Sequence, residues 1–204
     1  MYVLIEDGNI TKYFQNPKGF TLNDNQYPAS IFSKWSKEEK EAIGIYEVVI
    51  DNTNYKDPAY YNNTNEQYSF ANNVATKSWG TATAKRLNDE NAVDEDGNNL
   101  LDDDGNQVIN YGLKTEKKRI VKQQASGLLA PTDWYVVKAT EVADYSVPSN
   151  ITTFRAYVRT KSNEMETMIN NCTTVDELKA LYEYTEQQDG TFTRPLPEFP
   201  KEVI

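Results

Sequence analysis

The chain has 204 residues with 31 acidic and 21 basic side chains, so its net charge is −10 and its pI lies near 4.6. It contains no histidine and a single cysteine, Cys172, which excludes His-dependent nucleophile systems, clustered-cysteine zinc sites and an intramolecular disulfide. The acidic balance argues against sequence-independent nucleic-acid binding, and no apolar run reaches the length of a membrane span. We therefore expect a cytoplasmic protein that binds no nucleic acid, membrane, metal or cofactor.

The first half of the chain is predicted to consist of strands and loops, because 17 of the 21 asparagines lie before residue 111 and asparagine favours turns over long helices. Asp7-Gly8 is a two-residue hairpin signal, and Ser36 followed by Glu39 is a helix capping box. The sequence predicts strands over 2–5, 9–14, 45–50, 67–70 and 74–84, and short helices that begin at Pro28 and span 37–42. The threonines and serine of the last strand favour an edge or half-exposed position.

The segment 87–113 has eight acidic residues and no lysine or arginine, and it contains the near-copies DEDGN and DDDGN. Each DGN is a turn signal, so the segment is predicted to form small hairpins, with 99–101 pairing with 107–109, or to be a mobile hinge. A calcium loop of the EF-hand type is excluded. Aligning on Gly97 or Gly105 places Ala92 or Leu100 at the first ligand position, where an oxygen ligand is needed.

The second half is predicted to be helical. Apolar residues recur at helical spacing over 114–130 and 148–172, and Asp133 is placed to cap a short helix between these two. Thr174 and Glu177 form a second capping box, which predicts a last helix over 175–184. The remaining 185–204 are rich in proline and predicted to be extended, docking either on a partner or on their own domain.

These patterns predict an α+β fold built from a β-rich N-terminal module over 1–86 and a helical module over 114–184. The acidic segment 87–113 joins the modules, and the tail 185–204 follows the second one. Each module alone is near the lower size limit for a stable core. We expect the modules to pack on each other or on a partner, and self-association into a homo-oligomer stays open.

Few residues suggest chemistry. Asp133 beside Trp134 resembles a carboxylate held against an indole, and Arg155 and Arg159 lie one helical turn apart, a spacing suited to clamping an anion. The simpler interpretation is that Asp133 caps its helix, Trp134 lies in the core, and one arginine pairs with Asp133 or Glu141. Four tyrosines of the first half offer either a binding surface or core anchors: Tyr55, Tyr60, Tyr61 and Tyr68.

The residues from Gly127 to Lys138 read GLLAPTDWYVVK. They are followed by Glu141, Pro148, an aromatic–arginine pair, and a second arginine one turn later. This order resembles the tail assembly chaperone family of tailed bacteriophages over about residues 115–172. The family pattern combines a leading helix, a Thr-Asp-Trp core, a proline-initiated turn and paired arginines. The positions that carry the resemblance are Thr132, Asp133, Trp134, Glu141, Pro148, Phe154, Arg155 and Arg159.

The resemblance implies a non-enzymatic phage protein that assists tail or tail-fibre assembly in the host cytoplasm by binding a tail or fibre subunit. The acidic segment and the proline-rich tail are additions to the family pattern. They keep open the alternative of a structural component, such as a baseplate or fibre adaptor, that remains in the virion tail. An enzyme that uses carboxylates alone is a third hypothesis, supported only by the abundance of acidic residues, which solubility also explains.

Overall fold

The structure is a computed structural model that describes residues 1–200, and it divides the chain into two compact units, Met1–Ala84 and Lys85–Ile204. Strands dominate the first unit and helices the second, so the predicted α+β class is confirmed. The division falls between residues 84 and 85, and it places the acidic segment 87–113 in the second unit. Among the described helices, none is both long and apolar enough to cross a membrane.

The first unit is built on a five-stranded sheet with the order β2-β1-β5-β8-β7. Neighbouring strands are antiparallel except β5 and β8, which are parallel. Its elements are β1 (Tyr2–Glu6), β2 (Asn9–Phe14), β3 (Phe20–Leu22), β4 (Asn25–Tyr27), α1 (Ile31–Lys34), α2 (Lys37–Glu41), β5 (Ile45–Ile50), β6 (Tyr61–Asn62), β7 (Gln67–Ala71), β8 (Val74–Ser78) and β9 (Thr83–Ala84).

Two strand predictions need correction. The run 74–84 is not one strand: β8 ends at Ser78, and β9 pairs with β6 instead of continuing along the sheet. β8 is also not an edge strand, because it hydrogen-bonds to β5 on one side and β7 on the other. Its polar side chains fit this internal position because only Ala75 of the strand is buried. The expected half-exposed character is therefore correct.

An aromatic cluster forms the core of the first unit. Six side chains are buried together, namely Leu4, Phe14, Phe20, Ile31, Phe32 and Ile45. The ring of Phe14 lies 4.9 Å from that of Phe20 and 5.1 Å from that of Phe32 between centroids, the separation at which aromatic pairs attract. Helix α1 begins at Ile31 rather than at Pro28, because residues 28–30 form the turn that precedes it.

The capping box predicted before α2 is confirmed. The Ser36 hydroxyl accepts the Glu39 amide at 3.1 Å, and the Glu39 carboxylate accepts the Ser36 amide at 2.7 Å. At the other end of the helix, Gly44 adopts a φ of +80° and leads into β5. A Cβ at this position would lie 2.6 Å from the Ile5 carbonyl oxygen, so both the backbone conformation and the space require glycine.

Substituting Gly44 by alanine is expected to destabilise the first unit by about 3 kcal/mol, since left-handed strain adds to a backbone clash. Gly8 is the matched control, because its φ is +77° but nothing lies within 4 Å of an added Cβ. Gly8→Ala is expected to cost about 1 kcal/mol, from strain alone. Urea denaturation measures both free energies of unfolding. Equal losses would contradict the clash.

The second unit contains two long helices that pack on each other, α3 and α5. Its elements are β10 (Glu90–Asn91), β11 (Ile109–Asn110), α3 (Leu113–Leu129), α4 (Asp133–Glu141), α5 (Ser149–Asn171), α6 (Val175–Ala180), β12 (Thr185–Glu186) and β13 (Phe192–Thr193). A 3-10 turn, Ala130–Thr132, joins α3 to α4. The predicted apolar stripe of α5 is inward, and it includes the fully buried Val158 and Ile169. The capping box before α6 is present at Thr174 and Glu177.

The acidic segment is a small folded structure with an eight-residue repeat. Three backbone hydrogen bonds of 2.8–2.9 Å close a ring. The amide of Ala92 donates to the carbonyl of Val108, that of Leu100 to the carbonyl of Ala92, and that of Val108 to the carbonyl of Leu100. The side-chain amide of Gln107 donates to the same three carbonyl oxygens at 2.8–3.1 Å. Of the predicted pairing of 99–101 with 107–109, the structure has the bridge between Leu101 and Gln107 and the Val108–Leu100 hydrogen bond. Asn99 and Ile109 pair instead with Val93 and Asn91, so the third segment comes from around Ala92.

Both DGN turns are held by an aspartate. Asp94 and Asp102 each accept the backbone amide four residues later, from Asn98 and Asn106, at 2.8 Å. These hydrogen bonds stabilise the charged carboxylates and hold the pKa of Asp94 and of Asp102 below the ordinary aspartate value. The repeated aspartates therefore have a local structural role as turn-forming residues.

Lowering the pH is expected to loosen these turns. A carboxylate with a depressed pKa stabilises the fold fully above its ordinary pKa of 3.8, and this contribution is lost as the pH falls through the lower, folded value. Amide hydrogen exchange at Asn98 and Asn106, followed from about pH 5 to about pH 2.5, should lose protection at the acid end. Asp94→Ala should remove the protection of Asn98 at all pH values, whereas Asp103→Ala should leave it unchanged.

The C-terminal tail packs on its own unit. Residues 185–193 form a small hairpin of β12 and β13 rather than the predicted extended chain. Beyond it, Leu196 is buried and its amide donates to the Leu181 carbonyl at 3.0 Å, while Phe199 packs against the cluster around Ala125. The tail was predicted to dock either on a partner or on its own domain, and residues 194–200 dock on their own unit. Residues 201–204 of the predicted tail lie outside the described residues.

Candidate functional site

A buried arginine ties α5 to the turn between α3 and α4. Arg155 is nine-tenths buried. Its Nη1 donates to the Leu129 carbonyl at 3.0 Å and to the Thr132 hydroxyl at 2.5 Å, and it forms an ion pair with the Asp133 carboxylate at 2.8 Å. The Thr132 hydroxyl in turn donates to the Leu129 carbonyl at 2.7 Å. This network, called here the Arg155 anchor, fixes where α4 begins.

The predicted pairing of one arginine with Asp133 is confirmed, and the predicted helix cap at Asp133 is wrong. Thr132 occupies the N-cap position and makes no side-chain capping bond, and Asp133 is already the first residue of α4. The Asp133 carboxylate is used for Arg155 instead. Because 59% of its side chain is exposed, this ion pair is partly screened by water.

Phe154 belongs to the core. It is buried beside Arg155 and packs with Ala125 and Val158, with the half-buried Leu128 and Leu129 around them. The aromatic member of the aromatic–arginine pair thus fastens α5 to α3, while the arginine fastens the same segment to the following turn. Together these two adjacent residues determine the position of α4 through apolar packing and hydrogen bonding.

Trp134 lies on the surface, so the prediction that its indole is in the core is wrong. Its side chain is 51% exposed, and none of the nine residues of α4 is buried. The helix turns by about 100° per residue. With Asp133 directed to Arg155, the next side chain therefore points away from α5. The indole instead stacks on Tyr135, with ring centroids 3.8 Å apart.

Four apolar side chains are exposed on and just after α4. We call this set the α4 face, and it consists of Trp134 and Val137, which lie one helical turn apart, together with Val136 and Val142. Lys138 covers one side of it, because its ammonium lies 5.8 Å from the Trp134 ring centroid and 4.3 Å from that of Tyr145. A helix this apolar without a buried residue is typical of a protein-binding surface. The sequence did not predict that the valines of the α4 face are exposed, because a run of apolar residues in a helix is equally compatible with a position in the core.

The remaining predicted site residues divide into two groups. Arg159 is exposed one turn after Arg155, and it lines with Arg155 and Asp133 a cleft of 450 Å³ beside α3 and α5. Glu141 is exposed at the end of α4, and Pro148 is exposed immediately before α5, where it begins the helix. The structure therefore brings Thr132, Asp133 and Arg155 into one network, and Glu141 and Pro148 have no role in it.

The four tyrosines of the first unit also divide. Tyr60 and Tyr61 are buried, so they are core anchors. Tyr55 is exposed and packs on Trp79 at 4.9 Å between ring centroids, and Tyr68 is half-buried with its hydroxyl donating to Glu66 at 2.6 Å. The tyrosine loop thus presents Tyr55 rather than a continuous aromatic surface.

The single cysteine is poorly suited to act as a nucleophile. Burial raises the pKa of the Cys172 thiol, and the nearby Glu177 carboxylate raises it further, so the reactive thiolate is disfavoured. Among residues 1–200, no group of three or more acidic, histidine or cysteine side chains is arranged to hold a metal ion. The strongest features of the second unit are therefore the Arg155 anchor, the α4 face and the cleft.

Comparison with known proteins finds no matching family model, no matching curated protein and no matching solved structure.

The Arg155 anchor predicts an ordered series of stabilities. Arg155→Ala should lower the free energy of unfolding by about 3 kcal/mol, since a buried charged donor with three acceptors is lost. Asp133→Asn should cost less than about 1 kcal/mol, because that partner is exposed. Trp134→Ala should change stability by no more than about 0.5–1 kcal/mol. Denaturant unfolding of the three variants gives this order. A Trp134→Ala loss as large as that of Arg155→Ala would contradict the surface position.

Proposed function

We propose that this chain is a non-enzymatic bacteriophage protein that assists tail or tail-fibre assembly by binding a tail or fibre subunit. The observation that carries the proposal is the α4 face, which is an apolar helical surface with no buried residue. The resemblance of residues 115–172 to tail assembly chaperones supplies the class of partner. Action in the host cytoplasm during assembly follows from that class.

The anchoring of the α4 face favours a binding role. A surface that is held rigid before binding loses little conformational entropy when a partner arrives, so more of the contact energy appears as affinity. The Arg155 anchor contacts Leu129 at the end of α3, Thr132 at the N-cap position and Asp133 at the start of α4, which supplies this rigidity. Tryptophan is also among the residues that contribute most to the binding energy at the centre of protein interfaces, and Trp134 is half exposed.

Assembly of a β-rich fibre gives such a surface a task. Unassembled fibre subunits expose apolar and strand-edge surfaces that aggregate when they are left uncovered. A rigid apolar helix can cover one of these surfaces until the correct partner displaces it. The acidic charge of the chain, −10, also keeps such a complex soluble.

Binding by the α4 face is tested by co-expressing the chain with products of neighbouring tail genes and recovering complexes by pull-down. Trp134→Ala should weaken the affinity for the recovered subunit by about 30-fold or more, as expected for an interface hot spot. The matched control is Phe192→Ala, an aromatic of the same unit that is 62% exposed and far from α4 in sequence. Equal affinities for the two variants would exclude the α4 face as the binding surface.

A structural virion component is the alternative function, and the five-stranded sheet of the first unit favours it because that unit lies outside residues 115–172, which carry the resemblance to tail assembly chaperones. The two proposals differ in where the chain ends up. Mass spectrometry of purified virions should find it absent or far below stoichiometric amounts if it acts transiently. Stoichiometric presence in particles would favour the adaptor role.

A further inference from the structure

The cleft beside the Arg155 anchor carries basic groups on an otherwise acidic protein. Three basic side chains and one acidic side chain line it, namely Lys122, Arg155, Arg159 and Asp133. Two of the basic groups are already paired, Arg155 with Asp133 at 2.8 Å and Lys122 with Glu166 at 3.3 Å. The third, Arg159, is exposed and makes no hydrogen bond or ion pair within residues 1–200. The cleft therefore keeps one uncompensated positive charge.

Arg155 also has donors to spare. Its two hydrogen bonds and its ion pair all involve Nη1, and within the described part of the chain Nε and Nη2 have no hydrogen-bond partner. These two nitrogens form the side edge of the guanidinium, whose parallel N–H groups match the two oxygens of a carboxylate. Neither nitrogen is among the described fully buried polar atoms that have no partner, so this edge reaches solvent and is available to a ligand in the cleft that Arg155 lines.

We propose that the cleft binds a carboxylate, received by the free edge of Arg155 and by Arg159. The charge of the cleft selects this anion. One unpaired cation matches a single negative charge, whereas a phosphate group carries about −1.5 to −2 and would be repelled by the adjacent Asp133 more strongly than a carboxylate is. The planar fork of arginine also matches a planar carboxylate better than it matches a tetrahedral anion of higher charge.

The carboxylate is the side chain of a glutamate or aspartate in the polypeptide that covers the α4 face. Asp133 lines the cleft and is followed in α4 by Trp134 of the α4 face, so a segment that wraps around the start of α4 can reach both. An apolar anchor beside a charged contact gives such a segment both affinity and register. This source of the carboxylate rests on the proposed function, but the binding of a carboxylate by the cleft does not.

The cleft is tested on the full chain, labelled with ¹⁵N, by following the arginine side-chain N–H signals. Sodium acetate is titrated at constant ionic strength, with acetamide and sodium chloride as controls. The Arg155 and Arg159 signals should shift saturably with acetate alone, and Arg159→Gln should weaken the binding about tenfold. Arg119→Gln, an exposed arginine of α3 outside the cleft, should leave it unchanged. The assignment is overturned if acetate causes no shifts of these signals, if sodium chloride causes the same shifts, or if inorganic phosphate causes larger ones.

Three N-acetylated peptides distinguish a side-chain carboxylate from a C-terminal one. Acetyl-Gly-Glu-Gly-amide should produce the acetate response, and acetyl-Gly-Gln-Gly-amide should produce none. Acetyl-Gly-Gly-Gly with a free C-terminus tests the other source, and a response to that peptide alone would overturn the side-chain assignment. Loss of the acetate response with an intact subunit pull-down contradicts only the cleft. A failed pull-down with an intact acetate response contradicts only the proposed function.

Discussion

The second unit depends on one buried guanidinium. Arg155 joins α5 to the end of α3 and to the start of α4 through two hydrogen bonds and an ion pair, and its neighbour Phe154 secures α5 on α3 by packing. Burying an arginine carries a desolvation cost that only well-formed partners offset. The benefit is geometric, since a charged donor with three acceptors permits one arrangement where apolar contacts would permit several.

That arrangement explains why α4 is exposed. An apolar nine-residue helix left to itself would fold back on the nearest hydrophobic surface, because burying its valines and indole is favourable. The Arg155 anchor directs the first turn so that this face stays in water. The exposure is therefore imposed by the neighbouring structure, and it is compatible with stability because the cores around Val158 and Ile45 form without α4.

Local signals in the sequence predicted local structure well. The hairpin at Asp7-Gly8, the capping boxes at Ser36 and Thr174 and the strand 45–50 each depend on interactions within a few residues. The position of Trp134 could not be predicted this way, since hydrophobicity alone does not distinguish a core residue from an interface residue. Charge and spacing predicted that Arg155 or Arg159 pairs with Asp133 or Glu141, but not which pair forms. The bonds of Arg155 to Leu129 and Thr132 were not predictable, because they depend on how the turn brings a carbonyl and a hydroxyl together.

The ring formed by Ala92, Leu100 and Val108 has a consequence for how this segment can change. Each of these residues uses both its amide and its carbonyl on the other two, so the ring is closed at three members. A fourth copy of the eight-residue repeat could not join the ring. The loss of one copy would leave one backbone amide and one backbone carbonyl of the ring without partners. An open repeat array can gain or lose repeats at its ends. This closed ring should instead tolerate substitutions in its turns far better than a change in the number of its eight-residue repeats.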